Sequence, residues 1–253
     1  KWINSKRLTR DGIPKPYKAQ NGGGYTLEAE LGVTPNGYSE PDYLGWEVKQ
    51  YGVKDFINYK DLNKISLMTP EPNDGIYKKE GIKNFLMTFG YPDKRGAEDK
   101  INFGGVYSST NDYNPNTKLK LFIEGFNFDK GIIDDIGGGI FLKTINGDEA
   151  AIWRFSSLID HWNRKHAKAV YIPSLRMQDP RKYFYGSRIL LCEGTDFNLF
   201  LKSLIDSFVV IDPGTSMKKA STLKPVIKKR NQFRIDFTNL KSLYFDTEVL
   251  DLL

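Results

Sequence analysis

The sequence predicts an α+β fold in which strands outnumber helices. From Lys118 onward the chain alternates, with Leu119, Leu121 and Ile123 set against Lys118, Lys120 and Phe122, as in a strand with one drier face. Ile140–Ile145 and Glu149–Arg154 flank Asn146-Gly147, which predicts a β-hairpin with a type I′ turn. From Asp196, Phe197, Phe200, Leu201, Leu204 and Ile205 recur at i, i+3, i+4, i+7 and i+8, the single apolar stripe of a helix. With 253 residues, 40% of them hydrophobic and 13% aromatic, the chain has ample material for an ordered core.

Taken in order, residues 1–24 predict an extended basic opening in which Pro14, Pro16 and Gly22–Gly24 prevent regular structure. Thr26–Leu31 predicts a short helix, capped by Thr26 and stopped by Gly32. Pro35–Pro41 turns the chain into a strand beginning near Gly45. Ile65–Thr69 reads as a strand ended by Pro70 and Pro72, while Lys83–Phe89 fits either a strand or a short helix. Ser157 caps a helix to about His166, and Ala169–Ile172 follows as a strand. After the stripe helix, Phe208–Ile211 reads as a buried strand ended by Asp212-Pro213-Gly214. Beyond a basic loop, Phe233, Ile235 and Phe237 alternate with Gln232, Arg234 and Asp236, so a strand there shows Arg234 to the face opposite its apolar residues.

Several chemistries drop out. One cysteine, Cys192, excludes an internal disulfide framework and fits a reducing compartment; set in Ile189-Leu190-Leu191-Cys192 it reads as buried apolar filler. The only histidines, His161 and His166, are five apart on a helix and read as surface or boundary residues, not as a zinc site. Gly22–Gly24 and Gly137–Gly139 lack the Lys-Ser/Thr of a phosphate-binding loop and read as turns. No apolar run has the length of a membrane span, and the chain opens at Lys1 rather than Met, which leaves room for residues upstream.

Charge is unevenly placed. Lys218, Lys219, Lys224, Lys228, Lys229, Arg230 and Arg234 stand without an acid between Thr215 and Arg234, which leaves −1 for the rest of a chain of net charge +6. The first twenty residues are also strongly basic, with Asp11 their only acid. Two basic segments suggest a polyanion partner, although a solvated charged loop is the plainer alternative.

The most informative stretch is Pro41-Asp42-Tyr43-Leu44-Gly45-Trp46-Glu47-Val48-Lys49. In a strand Glu47 and Lys49 share one face and Trp46 and Val48 the other, with Asp42 just upstream and Gly45 free to absorb a bend. Two carboxylates suit a hard cation such as Mg²⁺, and an adjacent amine can orient water or oppose charge developing on a phosphate. A Pro-Asp turn before a strand is also common on ordinary surfaces.

Asp42 and Glu47-Val48-Lys49, preceded by Gly24-Tyr25-Thr26-Leu27-Glu28, resemble the PD-(D/E)xK nuclease motif of the MvaI/BcnI restriction endonuclease family, with a more distant likeness to MutH-type nicking enzymes. Trp2–Arg7, Ser66–Thr69, Trp153–Leu158 and Phe233–Asp236 extend the resemblance along most of the chain. It implies a mixed β-sheet flanked by helices in a two-lobed architecture, with a catalytic lobe over about 1–110 and a DNA-recognition lobe over about 111–253.

The resemblance also implies a Mg²⁺-dependent endonuclease, cytoplasmic and monomeric, that cuts double-stranded DNA at a short near-palindromic site. Asp42 and Glu47 would bind the metal with the Val48 carbonyl, Lys49 would position or activate water, and Glu28 would complete the site. Arg234 falls where the family has a base-reading arginine, a contact that contributes ~1–3 kcal/mol of discrimination. Just before it, Lys228-Lys229-Arg230-Asn231 replaces a histidine- and glycine-containing run, which leaves the target sequence open. Lys218, Lys219 and Lys224 read as phosphate contacts, and Lys228, Lys229, Arg230 and Arg234 as groove residues. The alternatives are a nicking endonuclease, a nuclease module of a larger defence protein, and a catalytically silent DNA-binding module.

Overall fold

The computed structural model describes residues 1–34 and 40–252, so the turn expected over Pro35–Pro41 lies, through Ser39, outside the described residues. Two compact units interleave along the chain. Lys1–Ile65, His161–Asp196 and Asp236–Leu253 form the first, and Ser66–Asp160 and Phe197–Ile235 the second. Each is assembled from separated stretches, where the sequence reading expected consecutive lobes meeting near residue 110. Strands outnumber helices, as expected. Among the described residues no helix is long and apolar enough to cross a membrane.

The first unit is built on a mixed sheet. Its central strand, Lys168–Gln178, far outruns the Ala169–Ile172 expected. It pairs in parallel with Glu47–Gly52, Ala169 opposite Glu47 and Tyr171 opposite Lys49, and antiparallel with Arg181–Tyr185 and Arg188–Glu193. Ile3–Asn4 adds beside Arg181–Tyr185, and Asp246–Asp251 beside Arg188–Glu193. Cys192 is buried on that sheet, and burial pushes its thiol up to about 12, so the filler reading stands.

Two helix starts differ from expectation. Gly22–Glu30 is helical, so the three glycines form the first turn instead of breaking the chain. A Cβ at Gly22 would lie 2.7 Å from Ser5 Oγ, and one at Gly23 would lie 2.4 Å from Gln50 Oε1. The glycines are there for close approach to the sheet. Thr26 therefore lies inside the helix, fully buried, its hydroxyl donating to the Gly22 carbonyl (2.6 Å) and accepting from the Lys6 amide (3.1 Å). Likewise the helix Phe155–His166 begins before Ser157, whose hydroxyl donates back to the Arg154 carbonyl (2.8 Å).

His166 is not a surface or boundary residue. It is fully buried and stacks on Trp162, four residues earlier, with ring centroids 4.2 Å apart. The strand expected to reach Phe237 stops at Ile235, and Phe237–Leu243 is a 3₁₀ helix whose first ring stacks on Tyr51 at 4.3 Å.

In the second unit Lys120–Glu124, Gly139–Lys143 and Glu149–Arg154 form one antiparallel sheet. The hairpin is present, but its turn is not type I′. Gly147 has positive φ (89°) while Asn146 does not, the Gly147 amide donates to the Thr144 carbonyl (3.0 Å) and the Thr144 amide to the Asp148 carbonyl (3.0 Å). That is the three-residue loop with a glycine bulge, in which only the glycine must be left-handed. Gly81–Phe89 is a helix that buries Phe85, Leu86 and Phe89, which resolves the ambiguity there. The stripe helix, Phe197–Ile205, buries Phe197, Phe200, Leu201 and Leu204 as the periodicity requires, while Ile205, the last of the stripe, is only half-buried at the helix end.

The basic stretch is less of a loop than expected. Gly214–Lys218 and Val226–Lys228 pair as a hairpin and join Lys100–Gly104 and Tyr91–Pro92 in a four-stranded sheet. Phe233–Ile235 belongs to a different sheet, with Val209–Ile211 and Ile65–Met68.

Candidate active site

Asp42–Lys49 folds as a tight turn running into a strand. Tyr43 and Trp46 exchange backbone hydrogen bonds at 3.0 and 2.8 Å across Leu44 and Gly45, both left-handed at φ 48° and 82°. Gly45 thus absorbs the bend, as half of a two-residue turn. The turn brings Asp42 back beside its own strand, where Oδ2 accepts a 3.1 Å hydrogen bond from the Val48 amide. A residue's N–H and C=O leave a strand by the same edge, so the Val48 carbonyl faces the Asp42 side, away from Lys168–Gln178.

Period-2 alternation holds through the strand. Val48 is buried on one face, while on the other Lys49 Nζ lies 2.5 Å from Glu47 Oε1. Glu47 is 1% exposed. Its second oxygen makes no hydrogen bond among the described residues, and Lys165 Nζ stands 3.2 Å from it as an ion-pair partner without hydrogen-bond geometry.

Glu28 reaches the same place from the helix. Burial pushes its carboxyl up to about 7; Asp42 adds to the rise, Lys49 opposes it, and Glu47 acts in the same sense as Asp42. Since the helix starts at Gly22 and has no acid in its first turn, the helix dipole does not account for this glutamate. Glu47 is also raised, by burial first, with Lys49 and Lys165 opposing. Glu28, Asp42, Glu47 and Lys49 are therefore electrostatic neighbours.

Lys165 is not legible in the sequence as a site residue, and His161, half-buried as a boundary residue should be, stands close to it. Burial lowers the His161 pKa, with Lys165 and then Lys49 adding to the fall, so this helix face borders the site. A lysine in the last turn of a helix reads as a dipole complement, so nothing local marks Lys165.

Among the described residues no three His, Cys, Asp or Glu side chains converge closely enough to hold one ion together. The donor set is instead two carboxylates and an edge carbonyl, with one buried carboxylate oxygen lacking a hydrogen bond. That fits an ion such as Mg²⁺, which takes one or two carboxylates and keeps several waters.

The basic candidates lie in the second unit and fall into two groups. Thr215 and Met217 are buried, so Ser216 and Lys218 face outward. Ser216 opposes Lys228 and Lys218 opposes Val226, which puts Lys218 and Lys228 on one face of the hairpin. Arg230 lies against the start of the hairpin, where a Cβ at Gly214 would meet its Nε at 2.7 Å. Lys219 and Lys224 are exposed in the connection between the strands, and Lys229 pairs with Glu71 at 3.2 Å. Arg234 stands apart on its own sheet, facing away from Phe233 and Ile235 as expected and ion-paired with Asp212.

The model of the MvaI/BcnI restriction endonuclease family matches residues 1–244. A solved structure described as restriction endonuclease MvaI in complex with cognate DNA substrate superposes with a TM-score of 0.70, at 17% identity, covering 98% of this chain and 91% of that one. A structure of restriction endonuclease MvaI in the absence of DNA gives a TM-score of 0.51 at 16% identity, covering 83% and 80%. No curated protein matches the sequence.

Proposed function

This chain belongs to the MvaI/BcnI restriction endonuclease family, and we propose that it is a Mg²⁺-dependent enzyme that cuts both strands of double-stranded DNA at a short near-palindromic site, acting as a monomer. The observation that carries the reading is the buried Glu47 carboxylate, ion-paired with Lys49 and electrostatically coupled to Asp42 and Glu28. Asp42, Glu47 and the Val48 carbonyl would hold the ion. Mg²⁺, when bound, supplies a Lewis acid against a phosphate oxygen.

The chain's own groups have separable roles. The Val48 amide fixes the Asp42 carboxylate at the strand edge. Lys49 would place a positive charge where it can orient the attacking water or oppose charge that develops on the phosphate oxygens. Glu28, pushed up to about 7, can hold or release a proton near neutral pH. Lys218, Lys219 and Lys224 bind phosphates, while Lys228, Lys229, Arg230 and Arg234 are placed in the groove. Arg234 reads a base after exchanging Asp212 for guanine O6 and N7.

The test is digestion of supercoiled plasmid in Mg²⁺ by the wild type and by Asp42→Ala and Lys49→Ala variants. Wild type should give linear fragments with one sequence at their ends, and the variants should bind DNA but leave it intact. Nicked circles alone would replace double-strand cutting with strand nicking. Full cleavage by Asp42→Ala would remove this site from the reaction.

A further inference from the structure

Glu47 is 1% exposed, and a carboxylate that deep is costly unless its charge is matched. Two lysines match it from opposite sides, Lys49 at Oε1 and Lys165 at Oε2. Lys49 belongs to the nuclease motif, but Lys165 is brought in by a separate helix. Leu158, Trp162 and His166 on the same helix are buried, which anchors the helix that carries Lys165. Lys165 itself is 19% exposed and hangs on a flexible stem.

We propose that Lys165 is a built-in counter-cation for Glu47, which a divalent ion entering at Asp42 and Glu47 must outcompete. The proposal rests on the metal-site reading above. While Glu28 holds its proton, the formal charges of Asp42 and Glu47 cancel those of Lys49 and Lys165, so the ion enters a set already neutral. Lys165 approaches Oε2 without hydrogen-bond geometry, so the ion displaces an electrostatic contact and leaves no donor stranded. Lys165 is thus a positioning residue: it holds the Glu47 carboxylate in place in the absence of metal, at the expense of metal affinity.

The two effects have opposite signs, which a purely structural lysine would not produce. Removing a unit charge this close should tighten Mg²⁺ binding roughly tenfold. The experiment is calorimetric titration of Mg²⁺, without DNA, into wild type, Lys165→Met, Lys165→Gln and Lys165→Arg, with melting curves in chelator and in saturating Mg²⁺. Lys165→Met should bind Mg²⁺ more tightly, melt lower in chelator, and recover most of that loss in Mg²⁺; Lys165→Arg should track the wild type. Lys165→Gln serves if the methionine variant does not fold. Affinity unchanged or weaker in both neutral variants, or a melting deficit that persists in saturating Mg²⁺, overturns the role of Lys165 alone. No uptake of Mg²⁺ by the wild type overturns the metal-site reading and this proposal with it.

Discussion

Glu28 makes the pH dependence of the protein in chelator testable one residue at a time. Its carboxyl rises from an ordinary 4.5 to about 7, by burial first and then by the neighbouring Asp42. The folded state therefore holds this proton more tightly than the unfolded chain does. Stability from this group is full below pH 4.5 and falls as pH rises toward 7, because the unfolded chain gives up the proton first. Discounted for partial exposure, the loss is about 2 kcal/mol. Glu28→Gln should remove it. Urea unfolding in chelator at pH 5 and pH 8 should show a smaller drop in the variant than in the wild type by about that amount. Equal drops in the two proteins would mean that Glu28 is not buried among like charges.

At the scale of the element, the Gly22–Glu30 helix delivers Glu28 by packing its first turn where no side chain fits. Alanine at Gly23 should gain about 0.5–1 kcal/mol from helix propensity. Its Cβ, however, would meet Gln50 Oε1 at 2.4 Å and the Tyr183 ring at 3.2 Å. Overpacking of that kind costs about 1–3 kcal/mol, so Gly23→Ala should be destabilising on balance. Because the displaced helix carries Glu28, DNA cleavage should fall more than DNA binding. A variant of wild-type stability and activity would refute the close-packing account.

This helix also marks where the sequence was legible and where it was not. Glu47 and Lys49 could be paired by alternation alone, because the contact spans two residues. The helix start was missed because glycine reads locally as a breaker, and its partners Ser5, Gln50 and Tyr183 are set only by the tertiary fold. Lys165 was illegible for the same reason. The basic hairpin was taken for a loop because charge hid an alternation that buries Thr215 and Met217. At Asn146-Gly147 the dipeptide announces the hairpin, but left-handed backbone at the glycine alone sets the turn type.

Over the whole molecule, the net charge of +6 is more than accounted for by the seven cations between Thr215 and Arg234. The hairpin turns part of that excess into a surface, with Lys218 and Lys228 on one outward face. Arg234, on another sheet, is held by Asp212. The two groups should therefore fail differently. Each lysine that neutralises a phosphate releases counterions and adds about 0.9 to the slope of log affinity against log salt. Lys218→Ala with Lys219→Ala should lower that slope by about 2 and weaken binding to all duplexes alike. Arg234→Ala should leave the slope within about 1 of wild type and instead cost ~1–3 kcal/mol of preference for the cleaved sequence. Fluorescence anisotropy on cognate and scrambled duplexes across a salt series, in chelator to prevent cutting, reads both quantities. If the lysine pair lowered preference and left the slope unchanged, the hairpin would be the base reader and Arg234 a structural ion pair.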